Sequence, residues 1–312
     1  MEAHEAYLKG RYFWNKRTGE GFEKAGEYFR QAIAIDPNYA QAYAGLGDVY
    51  QFTAYDAVSR THLYAKAREA ARKALTLDEM LAEPHASLGL LAMNYDWDWA
   101  TAEKEFRRAI ELNPNYPTAH HWYAEFLAAV GRFDESLAQI NRARELDPLS
   151  LIINVDMGKL LYYSRRYDDA LKQLQETVKM DAEFPQAHIW LGSLYSTIGR
   201  YGDAIAAFQK VKENSWALGW LGYVYGISGQ RSEAEKILAE LERITAQSPI
   251  DPHIMLCVYL GLGDKDKAFA ALEQEYEMRS LGMTSLKVNP WYDGLRSDPR
   301  FTDLLGRMNL RQ

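Results

Sequence analysis

With 312 residues, 47% of them hydrophobic and 13% aromatic, the chain carries ample apolar surface for a core and has no disordered composition. Its net charge of −7 argues against a broad nucleic-acid footprint, and its single cysteine, Cys257, excludes an internal disulfide and a cysteine-based zinc site. No apolar run approaches the roughly 20 residues of a membrane span, and the N-terminal MEAHEAYLKGRYFW lacks the apolar centre of a signal peptide.

In chain order, an aromatic first helix in EAHEAYLKGRYFWNKRT precedes FEKAGEYFRQAIAIDP at 22–37, and relatives of the latter recur at 99–114, 133–148 and 167–182. Their leading small residues continue along the chain as Ala25, Ala67, Ala102, Ser136, Ala170, Ala204, Ala234 and Ala268, spaced by 42, 35, 34, 34, 34, 30 and 34. The second unit carries about eight extra residues around TAYDAVSR, and the seventh unit is four residues short. A second small set, Gly47, Gly89, Ala124, Gly158, Gly192 and Gly222, precedes most of these by about twelve positions, and all but Gly89 are followed three residues later by a large apolar side chain. Apolar spacings of three and four are helical, so each unit reads as two helices that approach closely at the small residues.

The breaks are regular too. Gly131, Gly199, Gly229 and Gly263 each stand five residues before a leading small residue, where glycine permits the left-handed ending of a helix. Arg165 replaces glycine in the fifth unit, so a different turn geometry is expected there. Pro37, Pro114 and Pro148 close three of the second helices.

This pattern resembles the tetratricopeptide repeat family, W-x2-L-G-x2-Y followed by A-x3-F-x2-A and then P. The sixth unit matches with Leu191, Gly192, Tyr195, Ala204 and Phe208, and the resemblance runs from about residue 4 to about residue 280. It implies an all-α fold, a right-handed superhelical α-solenoid of about eight helix-turn-helix units over residues 1–285, with an insertion in the second unit near 53–60. Residues 286–312 are expected to form a C-terminal helical cap, with Asn289-Pro290 and Asp298-Pro299 each opening a helical turn, and with Trp291, Tyr292, Leu295, Phe301, Leu304 and Leu305 covering the last repeat. The N-terminus shows no comparable cap, which suggests the tail portion of a longer protein, or self-association there into a homo-oligomer. YLKGRYFWNKRTGEGFEKAGEYFRQAI, WDWATAEKEFRRAIELNPNY and NPWYDGLRSDPRF are further similar to carboxy-terminal repeat regions of bacterial multidomain signalling and transcriptional regulators. That likeness implies a regulatory interaction module in the cytoplasm, or outside it if the parent protein has an upstream membrane span.

Chemistry-bearing motifs are scarce. The family's tryptophan position holds His85, His120 and His188 in three different units, which makes them scaffold residues rather than a metal site. His121 and Glu125, at i,i+4, supply too few ligands for structural zinc and are expected to form a surface ion pair. In DWDWATAEKEF, Asp98 reads as a helix N-cap with the tryptophans as packing residues. No phosphate loop, nucleophile elbow or kinase signature is present, so neither an enzyme nor a cofactor or metal is expected.

The resemblance places a protein or peptide partner in the concave groove lined by the first helices. Its register selects Asp48, Gln51, Phe52, Asn94, His121, Glu125, Lys159, Tyr162, Tyr163, Ser193 and Tyr223. Lys159 is the only basic residue among them, so a clamp for chaperone carboxy-terminal tails is not expected, and no nucleic acid is expected to bind this region.

Overall fold

The computed structural model describes residues 1–53, 57–212, 216–247 and 250–310, and these are helical with no strand among the described residues. The helices are α1 Glu2–Asn15, α2 Gly19–Ile35, α3 Ala40–Phe52, α4 Ala57–Leu77, α5 Ala82–Leu91, α6 Trp99–Leu112, α7 Pro117–Ala129 and α8 Phe133–Leu146. They continue as α9 Leu151–Tyr163, α10 Tyr167–Met180, α11 Pro185–Thr197, α12 Tyr201–Gln209, α13 Ala217–Ile227, α14 Arg231–Thr245, α15 Pro252–Leu262 and α16 Lys265–Glu277. Taken in consecutive pairs these sixteen helices make eight hairpins, as the repeat spacing predicts. Two short 3-10 helices, Leu281–Ser285 and Pro290–Leu295, and α17 Pro299–Arg307 complete the chain. Of the insertion expected near 53–60, residues 54–56 lie outside the described residues, and α4, at 21 residues, takes up the rest of the extra length.

The chain forms two compact units, Met1–Phe126 and Leu127–Gln312, and each is an α-solenoid stack of helical hairpins. Within the first, α2 packs on α3 and α4 on α5; within the second, α8 on α9, α10 on α11, α12 on α13 and α14 on α15.

The small residues of the first helices are notches for rings and branched side chains of the second. A methyl added to Gly192 would lie 2.5 Å from the Phe208 ring of α12, and one added to Gly158 would lie 2.6 Å from Leu174 of α10. Phe208 and Leu174 are fully buried in these notches. Burying a side chain of this size stabilises by about 1.5–3 kcal/mol.

The hairpin turns are left-handed at Gly131, Gly199, Gly229 and Gly263 (φ 90, 79, 81 and 74°), as predicted. The different geometry expected at Arg165 is corrected: Arg165 has φ 64° and the same bonds, its own N–H to Tyr162 O at 3.0 Å and the next N–H, from Arg166, to Leu161 O at 2.9 Å. The repeat fixes the turn, and arginine accepts a conformation that costs a side-chain-bearing residue about 1–2 kcal/mol. In the third hairpin, α5 ends in a π turn, Ala92–Asp96, before left-handed Trp97. Asp98 caps α6 by accepting from Thr101 N at 3.0 Å.

Replacing Gly192 by alanine should lower stability by about 1–3 kcal/mol through overpacking against Phe208. Gly202→Ala on α12, where nothing lies within 4 Å of the added methyl, should leave stability unchanged or raise it by up to about 1 kcal/mol. Urea unfolding of the two variants checks the contrast.

Candidate functional site

The residue following each notch falls on a common face of the first helices. In the first unit this row is Arg11 after Gly10, Asp48 after Gly47 and Leu90 after Gly89. In the second it includes Lys159 after Gly158, Ser193 after Gly192 and Tyr223 after Gly222.

In the first unit, Asp48 on α3 is 1% exposed and accepts a short hydrogen bond from the Ser87 hydroxyl of α5. Gln51 Nε2 donates to the Ser87 carbonyl at 3.3 Å, so α3 and α5 are bridged twice at this face. Burial raises the Asp48 carboxyl to about 6, against the lowering influence of Ser87 and of the Arg11 and Arg17 guanidinium groups. Arg11 was missed by the sequence reading, which assigned groove residues only from the second hairpin onward; its place directly after a notch glycine was the available signal. Phe52 is half-buried with its ring 5.1 Å from Trp14, 5.5 Å from Phe22 and 6.1 Å from Trp122, with the Arg17 guanidinium 5.8 Å above it. Asn94 is also half-buried, in the π turn.

His121 and Glu125 approach to 3.9 Å, but His121 is only 4% exposed, so the expected surface ion pair is instead a largely buried one. His120 and His188 behave as scaffold. His120 Nε2 bonds the Pro114 carbonyl at 3.0 Å and His188 Nε2 bonds the Ala182 carbonyl at 2.7 Å, each six residues back. Asn154 makes the same bond to Pro148 O at 3.0 Å in the fifth hairpin. His85 differs: its Nδ1 meets Glu105 Oε2 of α6 at 2.6 Å.

In the second unit, Lys159 pairs with Asp156 at 2.8 Å and lies 5.6 Å from the Trp190 ring. Tyr162 is 1% exposed and its hydroxyl shares a hydrogen bond with Thr197 Oγ1 at 2.9 Å. Tyr163 is buried with its ring edge-on to Trp190, and Ser193 is buried with its hydroxyl donating to Ile189 O at 3.0 Å. Tyr223 is half-buried and stacked on Trp291, with centroids 4.1 Å apart and planes at 20°.

Trp291 belongs to the C-terminal segment expected to cover the last repeat, and that expectation is corrected in part. Helix α17 does pack on α16: Arg300 pairs with Asp266 at 2.9 Å over the Phe269 ring, and Arg307 with Glu273 at 2.6 Å. The preceding residues reach further back through the unit. Asp293 pairs with Arg165 at 2.8 Å, and Lys287 Nζ donates to the Val130 carbonyl at 3.2 Å. A cap confined to the last hairpin would leave the aromatic face of α9 and α13 exposed. This one fills it.

A second feature unread in the sequence is a buried pair in the last hairpin. His253 Nδ1 on α15 meets Glu275 Oε1 on α16 at 2.9 Å, and Glu275 has no exposed surface. Burial alone would lower the His253 pKa, but Cys257 and Glu275 reverse that and hold it well above the ordinary histidine value. The pair joins the two helices. Cys257 itself is a buried helix residue, as expected.

Three sequence-family models, each described as a tetratricopeptide repeat, match residues 22–39, 96–152 and 155–219, so the chain contains tetratricopeptide repeats. Superkiller protein 3 of Schizosaccharomyces pombe is 27% identical over 179 residues, 46% of this chain and 13% of that protein. Protein O-mannosyl-transferase TMTC3 of Homo sapiens is 32% identical over 97 residues, 31% of this chain and 10% of that protein. The chain therefore spans only a small part of the curated relatives it matches. Among solved structures, the APC/C hetero-tetramer Cut9-Hcn1 aligns at a TM-score of 0.62 and 17% identity over 92% of this chain and 52% of that one, a likeness of fold.

Two outcomes follow from these geometries. His188→Asn should retain most of the native stability, because Asn154 already makes the equivalent bond, whereas His188→Ala should cost about 1–3 kcal/mol by leaving the Ala182 carbonyl unsatisfied. Thermal melts of both variants check this. Because the folded Asp48 pKa is raised from 3.8 to about 6, its contribution favours folding below the unfolded value and is lost as pH rises through about 6. Asp48→Asn should remove that pH dependence and relieve a neutral-pH cost on the order of 3 kcal/mol. Chemical unfolding at pH 4.5 and 7.5 measures it.

Proposed function

We propose that this chain is a non-catalytic scaffold that binds a protein or peptide on the first-helix face of its tetratricopeptide array, as the regulatory interaction module of a larger bacterial signalling protein. The observation that carries the reading is the occupied face of the second unit. There the first helices and their turns already hold a non-repeat peptide segment by ring stacking, an ion pair and a bond to a backbone carbonyl. A surface that holds one such segment has the chemistry to hold another. The tetratricopeptide matches support the same class of role, and the resemblance noted in the sequence supplies the signalling context.

The partner site falls in the first unit. Half-buried Phe52 and Asn94 provide an apolar ring and an amide there, the mixture of anchor and polar contact that suits a peptide. No helix among the described residues is long and apolar enough to cross a membrane. Peptide-library selection against the intact chain should enrich one peptide family, and Phe52→Ala with Asn94→Ala should weaken its binding at least about tenfold, or 1.4 kcal/mol, with the fold retained. Unchanged binding in that variant would remove this site.

Self-association is the second reading. Leu8 and Tyr12, one turn apart on α1, are 52% and 61% exposed, an unusual amount for large apolar side chains on one helix face. Light scattering over a concentration series separates the readings: a rise in mass that Leu8→Glu abolishes supports association, and a constant monomer mass excludes it.

A further inference from the structure

We infer that residues 286–296 are a built-in ligand of the second unit, and that the first-helix face of this unit is a groove for a turn segment bearing two adjacent aromatics followed by an aspartate. The inference deepens the peptide-binding reading above by naming the chemistry that one face selects and by showing why this face is closed in the chain as it stands.

The segment KVNPWYDGLR is shaped before it docks. Asn289 caps the 3-10 turn by accepting from Trp291 N at 3.1 Å. Arg296 folds back to donate to the Lys287 carbonyl at 2.6 Å and the Asn289 carbonyl at 3.1 Å, and it pairs with Asp293 at 2.7 Å. Pro290 at the first helical position fixes one more dihedral. A segment braced in this way loses little conformational freedom on docking.

The face supplies partners for Trp291, Asp293 and Lys287 of the segment. Tyr223 takes the flat face of Trp291. Tyr292 is 1% exposed, and its hydroxyl is raised chiefly by burial and then by Glu275 and Cys257, with smaller effects of Tyr163 and Tyr162. Asp293 meets Arg165, which stands where four other hairpin turns have glycine, though Arg17 and Trp97 are likewise left-handed without it. At those four turns glycine relieves the left-handed strain; here an arginine bears it and points its guanidinium at the segment. Lys287 anchors the leading end on Val130 O.

The contacts are peptide-like in kind, because none uses the helix-on-helix packing of the repeats. Val288, Trp291, Tyr292 and Leu295 are nonetheless all buried, so the tethered copy excludes an identical segment offered from outside.

The test uses the full chain and a fluorescein-labelled synthetic peptide of residues 285–297. The unaltered protein should show no saturable binding. The chain carrying Trp291→Ala and Asp293→Ala should bind the peptide at least tenfold more tightly than the unaltered protein does, and a further Arg165→Ala should reverse that gain. A second pair isolates the charge: Arg165→Asp in the weakened chain should prefer the peptide carrying Asp293→Arg over the natural one. A folded weakened chain that binds no better than the unaltered protein would overturn the inference. Loss of its cooperative unfolding transition would do so equally, since a core element is needed for folding and a docked ligand is not. This readout involves no external partner, so failure to find one for the first unit leaves it standing.

Discussion

Two helices can press their apolar faces together only where one of them yields space, and in this chain the first helix of the hairpin yields it. The notch at Gly192 receives Phe208, that at Gly158 receives Leu174, and that at Gly89 receives Phe106. Each large side chain is completely buried, so the notch converts a steric clash into close packing. The same economy of volume lets α13 and α15 meet almost backbone to backbone, where Gly226 lies directly against Gly261. Once the notch is set against the second helix, the rest of the first helix has no freedom in what it presents outward. The following residue must lie on the face shared by the neighbouring first helices.

That constraint builds the face shared by the first helices. On α3 it turns Asp48 towards Ser87 of α5, and on α13 it turns Tyr223 towards Trp291. The two outcomes differ in energetic character. The Asp48 site is a buried polar bridge whose carboxyl is held near 6 because desolvation outweighs its hydrogen bond and the nearby guanidinium groups. The Tyr223 site is an aromatic platform, and an open platform of this kind beside Tyr162 and Tyr163 would be a large apolar patch. The segment around Trp291 removes that patch. The face and the segment that packs on it thus come from one chain.

Much of the scaffold was legible because it repeats. The small residues at intervals near 34, the turn glycines and the prolines after second helices mark eight hairpins without reference to coordinates, and the N-caps at Asp98, Asn289 and Asp298 were readable from local chemistry. The histidines were legible for the same reason: a side chain that recurs at one register position has a scaffold task, and His120 and His188 bond the turn carbonyls six residues behind them. Where a residue departs from the repeat, periodicity is silent. Arg165 was expected to change its turn, yet it keeps the left-handed turn and spends its side chain on Asp293, 128 residues away. His253 and Glu275 share no motif, and their pairing arises only because α15 and α16 bring them together.

By itself, the sequence determined the hairpins, their number, the glycine turns and which row of residues shares a face, because these depend on contacts a few residues to one repeat apart. The tertiary structure alone decided which of those residues are accessible. Tyr223 stands in the predicted row, but its exposure depends on a segment that returns from the end of the chain. Burial is a sum over everything that packs against a residue, and a contact between residues 165 and 293 leaves no periodic trace in the residues between them.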